Sequence, residues 1–531
     1  MHRIRARPPR GRVCDPLPVE TDPVVLDSVA IDAAYFPGGH ARAVARPRTE
    51  AEVSAIVRAA PRVLPIGAQS SLTGGATPFD DLVLSTSRLD AILAVEGDHI
   101  RVQAGVPLAT LQDALFGVGR WYPPMPTFTG ACAGGAVATN AAGAATFKYG
   151  STRRWVDRLT VVLASGDVLD LTRGEVAAHP AGYFEVETAR ALVRVPVPGY
   201  RMPATQKLSA GYFAAPEMDL VDLFVGSEGT LGIITEVTFR TLPQPPGVCL
   251  ALIPIRRDAD ALPLVDDLRR ASLETWATGD RAGIDAVSVE YMDRRCLDLL
   301  HADGHDRQCN ISWPDTTEAL LLVQIELRES TTAEQAYTQI ASASGAQPDS
   351  ALARFVRVLE RAQVADGTEL ALPADRRRAD QFVALREAVP AAVNQRVGAA
   401  KRAVDSRIEK TAADMVVPFD RLAEMLEIYR AGFERRSLTY AIWGHFSDGN
   451  LHPNVIPRSV DDVASGRQAI AEFGREAARL GGCPLAEHGV GRSPVKQALL
   501  RQLYGEEGIK AMRAVKRALD PEWKLARGVL F

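Results

Sequence analysis

The chain has 531 residues, is 47% hydrophobic and 6% aromatic, and sets 61 basic against 65 acidic side chains for a formal charge of -4. That balance excludes a basic nucleic-acid-binding face as its main business, and no run approaches the roughly 20 apolar residues of a spanning helix. Six scattered cysteines without a CxxC pair exclude a disulfide frame or a thiolate metal site, and point to a reducing compartment such as the cytoplasm.

Arg3, Arg5, Arg7, Arg10 and Arg12 open the chain with no apolar run behind them. This reads as a solvated basic leader over residues 1–30, not a secretory signal, and it allows peripheral contact with an anionic inner membrane face. Thr49-Glu50-Ala51-Glu52 predicts a capping box in which Glu52 reaches back. Val53, Ile56, Val57 and Ala60 then share one helical face. A strand is predicted over 63–66, running into a loop of small residues over 67–75. Ile100, Val102 and Ala104 alternate as in a strand, and Pro107 opens a helix that buries Leu108, Leu111 and Leu115. Residues 158–172 predict two strands about a Ser165-Gly166 turn. Pro243-Gln244-Pro245-Pro246-Gly247 is the linker candidate; long amphipathic segments follow over 258–303 and 351–438. A final helix is expected from Ser493 to Leu519, stopped by Asp520-Pro521.

Three glycine-rich segments, 65–75, 126–150 and 226–233, lie before the linker. None is a GxGxxG or GxxxxGK[ST] loop. Successive backbone N–H groups in such loops make an anion-binding concavity without Lys or Arg. Thr127, Thr129, Thr139 and Asn140 add side-chain donors and acceptors, so the surface suits a large anionic cofactor.

These segments, PIGAQSSLTGG (65–75), GACAGGAVATNAAG (130–143) and GSEGTLGI (226–233), resemble the FAD-binding segments of the vanillyl-alcohol-oxidase/p-cresol-methylhydroxylase family. The resemblance implies an α+β fold: a two-subdomain FAD-binding domain over 31–245, an α+β substrate (cap) domain over 246–490, and a C-terminal helical segment, 491–531, returning to the FAD domain. It carries cofactor contact to Ile66, Gly67, Ala68, Gln69, Ser70, Ser71 and Gly74 in the first segment. In the second it implies Pro126, Thr129, Gly130, Gly134, Gly135, Thr139, Asn140 and Gly143, and in the third Glu228, Gly229 and Ile233. Some members attach FAD through a His of the first loop; Gln69 stands there instead, so non-covalent FAD is expected, with Cys132 as the alternative attachment point.

The sharpest local signal is Gly444-His445-Phe446-Ser447-Asp448-Gly449-Asn450-Leu451-His452-Pro453-Asn454. Strand-forming residues flank a Ser-Asp-Gly-Asn turn, which predicts a hairpin with 447–450 as its loop and His445 opposite His452. Two imidazoles on one face could hold one ion, with Asn454 on the same face. Glu487 in Ala486-Glu487-His488-Gly489 is the candidate third ligand; two His and a carboxylate leave open positions on the ion, and His488 would point away from it as a base.

GHFSDGNLHPN and EHGVG also resemble the C-terminal signatures of the FAD-linked D-2-hydroxyacid dehydrogenase branch. That resemblance implies His445, His452 and Glu487 as ligands of a divalent metal, zinc or manganese, and His488 as catalytic base. It places Asn454 near the substrate and offers Arg386 and Lys410 as partners of the substrate carboxylate. The branch's Lys-Asn-Thr-Gly-Tyr stretch stands here as Lys207-Leu208-Ser209-Ala210-Gly211-Tyr212, and its closing Asn-Pro-Gly as Ala526-Arg527-Gly528. The expected reaction is oxidation of a small D-2-hydroxy acid to the 2-oxo acid, with an unspecified electron acceptor: quinone, cytochrome, electron-transfer flavoprotein or dye. A homodimer is compatible with it. The alternatives are an FAD-dependent oxidase of another alcohol or a sugar, and a flavin subunit of a larger electron-transfer complex.

Overall fold

The computed structural model describes residues 1–343 and 349–531. The chain forms two compact units. The first comprises Met1–Gly143, Tyr149–Gln244 and Cys483–Phe531; the second comprises Ala144–Lys148 and Pro245–Gly482. The fold is mixed helix and sheet, as expected.

In the first unit, a four-stranded sheet has the order Val19–Glu20, His40–Ala45, Phe79–Ser85, Val63–Ile66. The helix Glu50–Ala59 lays Val53, Ile56 and Val57 into its core. Thr49 caps that helix by accepting from the Glu52 N–H at 3.2 Å, but the Glu52 carboxylate accepts from Arg48 N–H rather than closing a reciprocal box. A five-stranded antiparallel sheet places Ile233–Arg240 between Val156–Val162 and His99–Gln103. The Ser165-Gly166 turn joins Val156–Val162 to Val168–Thr172, as predicted. The C-terminal helix Pro494–Leu519 runs back to this unit, and Ala526 N–H donates to the Val63 carbonyl.

The leader is not a free tail. Arg3–Arg5 adds as a parallel strand to Tyr183–Glu187. Arg3 and Arg5 pair with Glu187, and Arg7 bridges Glu50 and Asp170. Acidic partners distant in sequence neutralise the arginines, which composition alone could not show. Among the described residues no helix is long and apolar enough to cross a membrane.

The second unit is built on an eight-stranded sheet. Its order is Glu369–Ala371, Gly247–Ile255, Ala319–Leu327, Ala286–Asp293, Tyr440–His445, Asn450–Val455, Thr411–Ala412, and Met415–Val416 also pairs with Asn450–Val455. The expected amphipathic stretch 258–303 contains the strand Ala286–Asp293, and 351–438 contains three short strands. Ala286–Asp293 is buried along its whole length, so it lacks the alternation that marks a half-buried strand. The helix Arg376–Ala403 packs Phe382, Leu385, Val389 and Val393 into the core on one face of this sheet.

The chain returns to the first unit at Cys483 rather than at 491. Ser209 N–H donates to Leu485 O at 3.1 Å and Lys207 pairs with Glu487, so long-range contacts, not a composition break, set that boundary.

Candidate active site

The hairpin forms with a different loop. Tyr440–His445 and Asn450–Val455 pair antiparallel, but Phe446–Asp448 makes a turn of 3-10 helix closed by Gly449 at φ 79°. His445 therefore lies opposite Asn450, and His452 opposite Trp443. The Phe446 ring stacks on Tyr291 at 4.5 Å, which draws it into the turn and out of the ladder. The register differs from expectation by one full pleat period, so both imidazoles keep the same face. Their centroids lie 5.3 Å apart at 87°. Asn454 shares that face; its Nδ2 donates to His452 O, and its buried Oδ1 has no hydrogen-bond partner among the described residues.

Each imidazole meets a carboxylate at Nδ1. Glu290 Oε1 lies 2.5 Å from His445 Nδ1, and Asp414 Oδ1 lies 3.6 Å from His452 Nδ1. The hydrogen-bonded Glu290 orients the His445 ring and leaves its Nε2 for a metal, whereas Asp414 stands near His452 as a charge beyond hydrogen-bond distance. Arg386 projects from the long helix and donates from Nε to Glu290 Oε2 at 2.7 Å. Lys410 is exposed, one residue before the strand Thr411–Ala412 that pairs with Val455 and Asn454.

Glu487 and His488 belong to the first unit. Glu487 forms an ion pair with Lys207, whose side chain is fully buried. His488 Nε2 lies 3.8 Å from Glu487 Oε2, and its side chain is 30% exposed, open enough to exchange a proton. Glu228 anchors the segment that follows: its carboxylate accepts from Val490 N–H and Gly491 N–H, both at 2.8 Å. Burial outweighs those two donors and raises the Glu228 pKa to about 7. Its carboxylate thus holds the segment that follows His488.

The three glycine-rich segments converge within the first unit. Glu228 N–H donates to Ala138 O, and Gly226 N–H to Val137 O, joining the third segment to the second. Gly229 packs against Pro65 at the base of the first, and Ala68 N–H faces the Cys132 thiol of the second. Several of the polar side chains in these segments bond to backbone groups of the protein itself. Gln69 donates to Val29 O and Ala76 O; Ser71 Oγ accepts from Gly75 N–H. Thr139 donates to Gly135 O, while Asn140 binds Leu208 O and Arg153 N–H. Gly134 lies so close to Ala104 that an added Cβ would sit 2.6 Å from the Ala104 Cβ, whereas a Cβ at Gly135 would meet nothing within 4 Å. Open space beside the half-buried Gly135 fits a cofactor that approaches the backbone closely. Burial raises the Cys132 thiol pKa, which makes it a weak nucleophile.

A model of an FAD binding domain matches residues 41–172, and one described as FAD linked oxidases, C-terminal domain, matches 261–530. The chain belongs to the FAD-linked oxidase family. It is 30% identical to a D-2-hydroxyglutarate dehydrogenase of Xanthomonas citri pv. viticola, over 97% of this chain and 94% of the relative. It is 28% identical to the glycolate oxidase subunit GlcD of Bacillus subtilis, over 92% and 88%. A 4-ethylphenol oxidase from Gulosibacter chungangensis shares the fold at TM-score 0.63 and 14% identity, covering 97% of this chain and 94% of that one. This FAD-linked oxidase is thus an enzyme of the D-2-hydroxyacid dehydrogenase branch, with FAD as its cofactor.

Sequence reasoning missed three charged groups of this FAD-linked oxidase: Glu290, Asp414 and Lys207. Glu290 carried a usable signal, an acidic residue inside a run that is otherwise apolar (Val287, Val289, Tyr291, Met292). Lys207 and Asp414 were visible only as members of motifs, and their partners lie 280 and 38 residues away (487 − 207 and 452 − 414).

Proposed function

We propose that this oxidase converts a D-2-hydroxy acid to the 2-oxo acid with non-covalent FAD and a divalent cation, zinc or manganese. The donor set fits such an ion: His445 and His452 converge, Glu290 binds the first at Nδ1, Asp414 lies near the second, and the EHGVG signature offers Glu487 as the third ligand. That carboxylate-backed pair carries the reading. When bound, FAD supplies the acceptor for the C2 hydride and the cation makes the substrate hydroxyl more acidic.

The chain's own residues do the rest. His488 takes the hydroxyl proton; an imidazole works as a base near neutral pH. Arg386 and Lys410 pair with the substrate carboxylate, the first through a fork matched to two oxygens. Asn454 offers its Oδ1 as an acceptor beside the substrate. Gln69 and Cys132 leave the flavin unattached, and an external acceptor reoxidises it.

The test is anaerobic mixing with D-2-hydroxyglutarate, D-lactate, glycolate and D-mandelate, followed at the flavin absorbance and repeated with a dye acceptor. One member of the panel should bleach the flavin rapidly. Turnover should fall after chelation and return with Zn²⁺ or Mn²⁺. Failure of every hydroxy acid, with bleaching by a sugar or a simple alcohol, would overturn the reading.

A further inference from the structure

Glu290 sits in the middle of the strand Ala286–Asp293, directly across the ladder from His445. Its side chain is 6% exposed, and those of His445 and Arg386 are 2% and 11% exposed. A carboxylate placed in such a strand carries a heavy desolvation penalty unless its oxygens are matched. Both oxygens are matched, to different groups: Oε1 to His445 Nδ1 at 2.5 Å, Oε2 to Arg386 Nε at 2.7 Å. A simple counter-ion for Arg386 would not need the imidazole, and a simple orienter of His445 would not need the guanidinium.

We infer that Glu290 is a positioning residue that couples cation binding at His445 to carboxylate binding at Arg386. This rests on His445 being a cation ligand. An ionised carboxylate only accepts, so the His445 proton sits on Nδ1 and Nε2 keeps its lone pair. The same carboxylate holds the Nε edge of Arg386 and leaves the Nη donors for a substrate carboxylate. Positive charge arriving at Nε2 polarises the ring and strengthens the Nδ1–H···Oε1 bond. Electron density drawn toward Oε1 weakens the hold of Oε2 on Arg386, whose charge then serves the incoming carboxylate more fully. Linkage makes the effect reciprocal: bound carboxylate tightens the cation by the same factor.

The experiment uses FAD-loaded protein cleared of metal by chelation. Mn²⁺ is titrated calorimetrically, alone and with saturating 2-oxoglutarate or pyruvate, whichever shifts the flavin spectrum. Wild-type protein should bind Mn²⁺ several-fold more tightly with the oxo acid present. Glu290→Gln should bind Mn²⁺ about 10–100-fold more weakly, and the oxo acid should tighten it by a smaller factor than in wild-type protein, leaving only what direct contact of the oxo acid with the ion supplies. If Glu290→Gln loses FAD, Glu290→Asp serves instead; its arm is one methylene shorter than the one that reaches both partners, so the oxo-acid effect should shrink while some cation affinity remains. A variant with wild-type Mn²⁺ affinity and a wild-type oxo-acid effect would overturn the inference and leave the metal site standing. Wild-type protein that binds no Mn²⁺ or Zn²⁺ would overturn the metal reading, and this inference with it.

Discussion

The hairpin of the second unit and the glycine-rich segments of the first prepare for ligands in opposite ways. In the hairpin, side chains do the work: His445 and His452 are aimed, and Glu290 and Asp414 stand at their rear nitrogens. In the glycine-rich segments, the side chains of Gln69, Thr139 and Asn140 are spent on backbone carbonyls of the protein itself, so they brace the segments. The difference teaches where chemistry and holding are separated. Substitutions among the aimed side chains should stop the reaction while FAD stays bound. Changes in the loops should loosen FAD, whatever the reaction.

The sharpest break of that contrast is His488→Ala, which should keep FAD but slow flavin reduction by substrate roughly 10²–10⁴-fold, measured by anaerobic stopped flow. Wild-type bleaching would remove His488 from its role as base. Next is His452→Ala: stoichiometric Mn²⁺ binding should disappear in calorimetry while the flavin spectrum stays that of the wild type. A change confined to FAD retention would show that the hairpin only holds the cofactor.

Glu228 is a carboxylate on a glycine-rich segment, and it anchors the residues after His488. Its folded pKa, raised from 4.5 to about 7, means the native state keeps a proton that the unfolded chain has lost. Its contribution is fully present below pH 4.5 and is lost as pH rises toward 7, a slope on the order of 1 kcal/mol per pH unit. Urea midpoints should show this slope in wild-type protein and not in Glu228→Gln. Equal slopes in the two proteins would mean Glu228 titrates normally.

The smallest effects separate Gly134 from Gly135. Gly134→Ala should cost about 1–3 kcal/mol, because the methyl is driven against Ala104. Gly135→Ala meets open space and gains about 0.5–1 kcal/mol of helix stability in the apoprotein, yet it should weaken FAD binding, read by fluorescence titration. Unchanged FAD affinity in Gly135→Ala would show that the cofactor does not approach that face.

Much of this protein was legible before any coordinates. Local rules suffice where neighbours in sequence are neighbours in space: the strand Val63–Ile66, the helix opened by Pro107, and the stop at Asp520 follow from caps, periods and turn residues. The same holds for the shared face of His445 and His452, since pleat parity survives a shift of two residues. The pairings between distant segments emerge only on folding. Turn chemistry could not foresee that Phe446 would stack on Tyr291, and that stacking chose the loop. Nor could composition reveal that the arginine leader meets Glu50, Asp170 and Glu187, or that Lys207 meets Glu487. Buried charge must find its partner wherever the folded chain brings one, and sequence spacing carries no record of that distance.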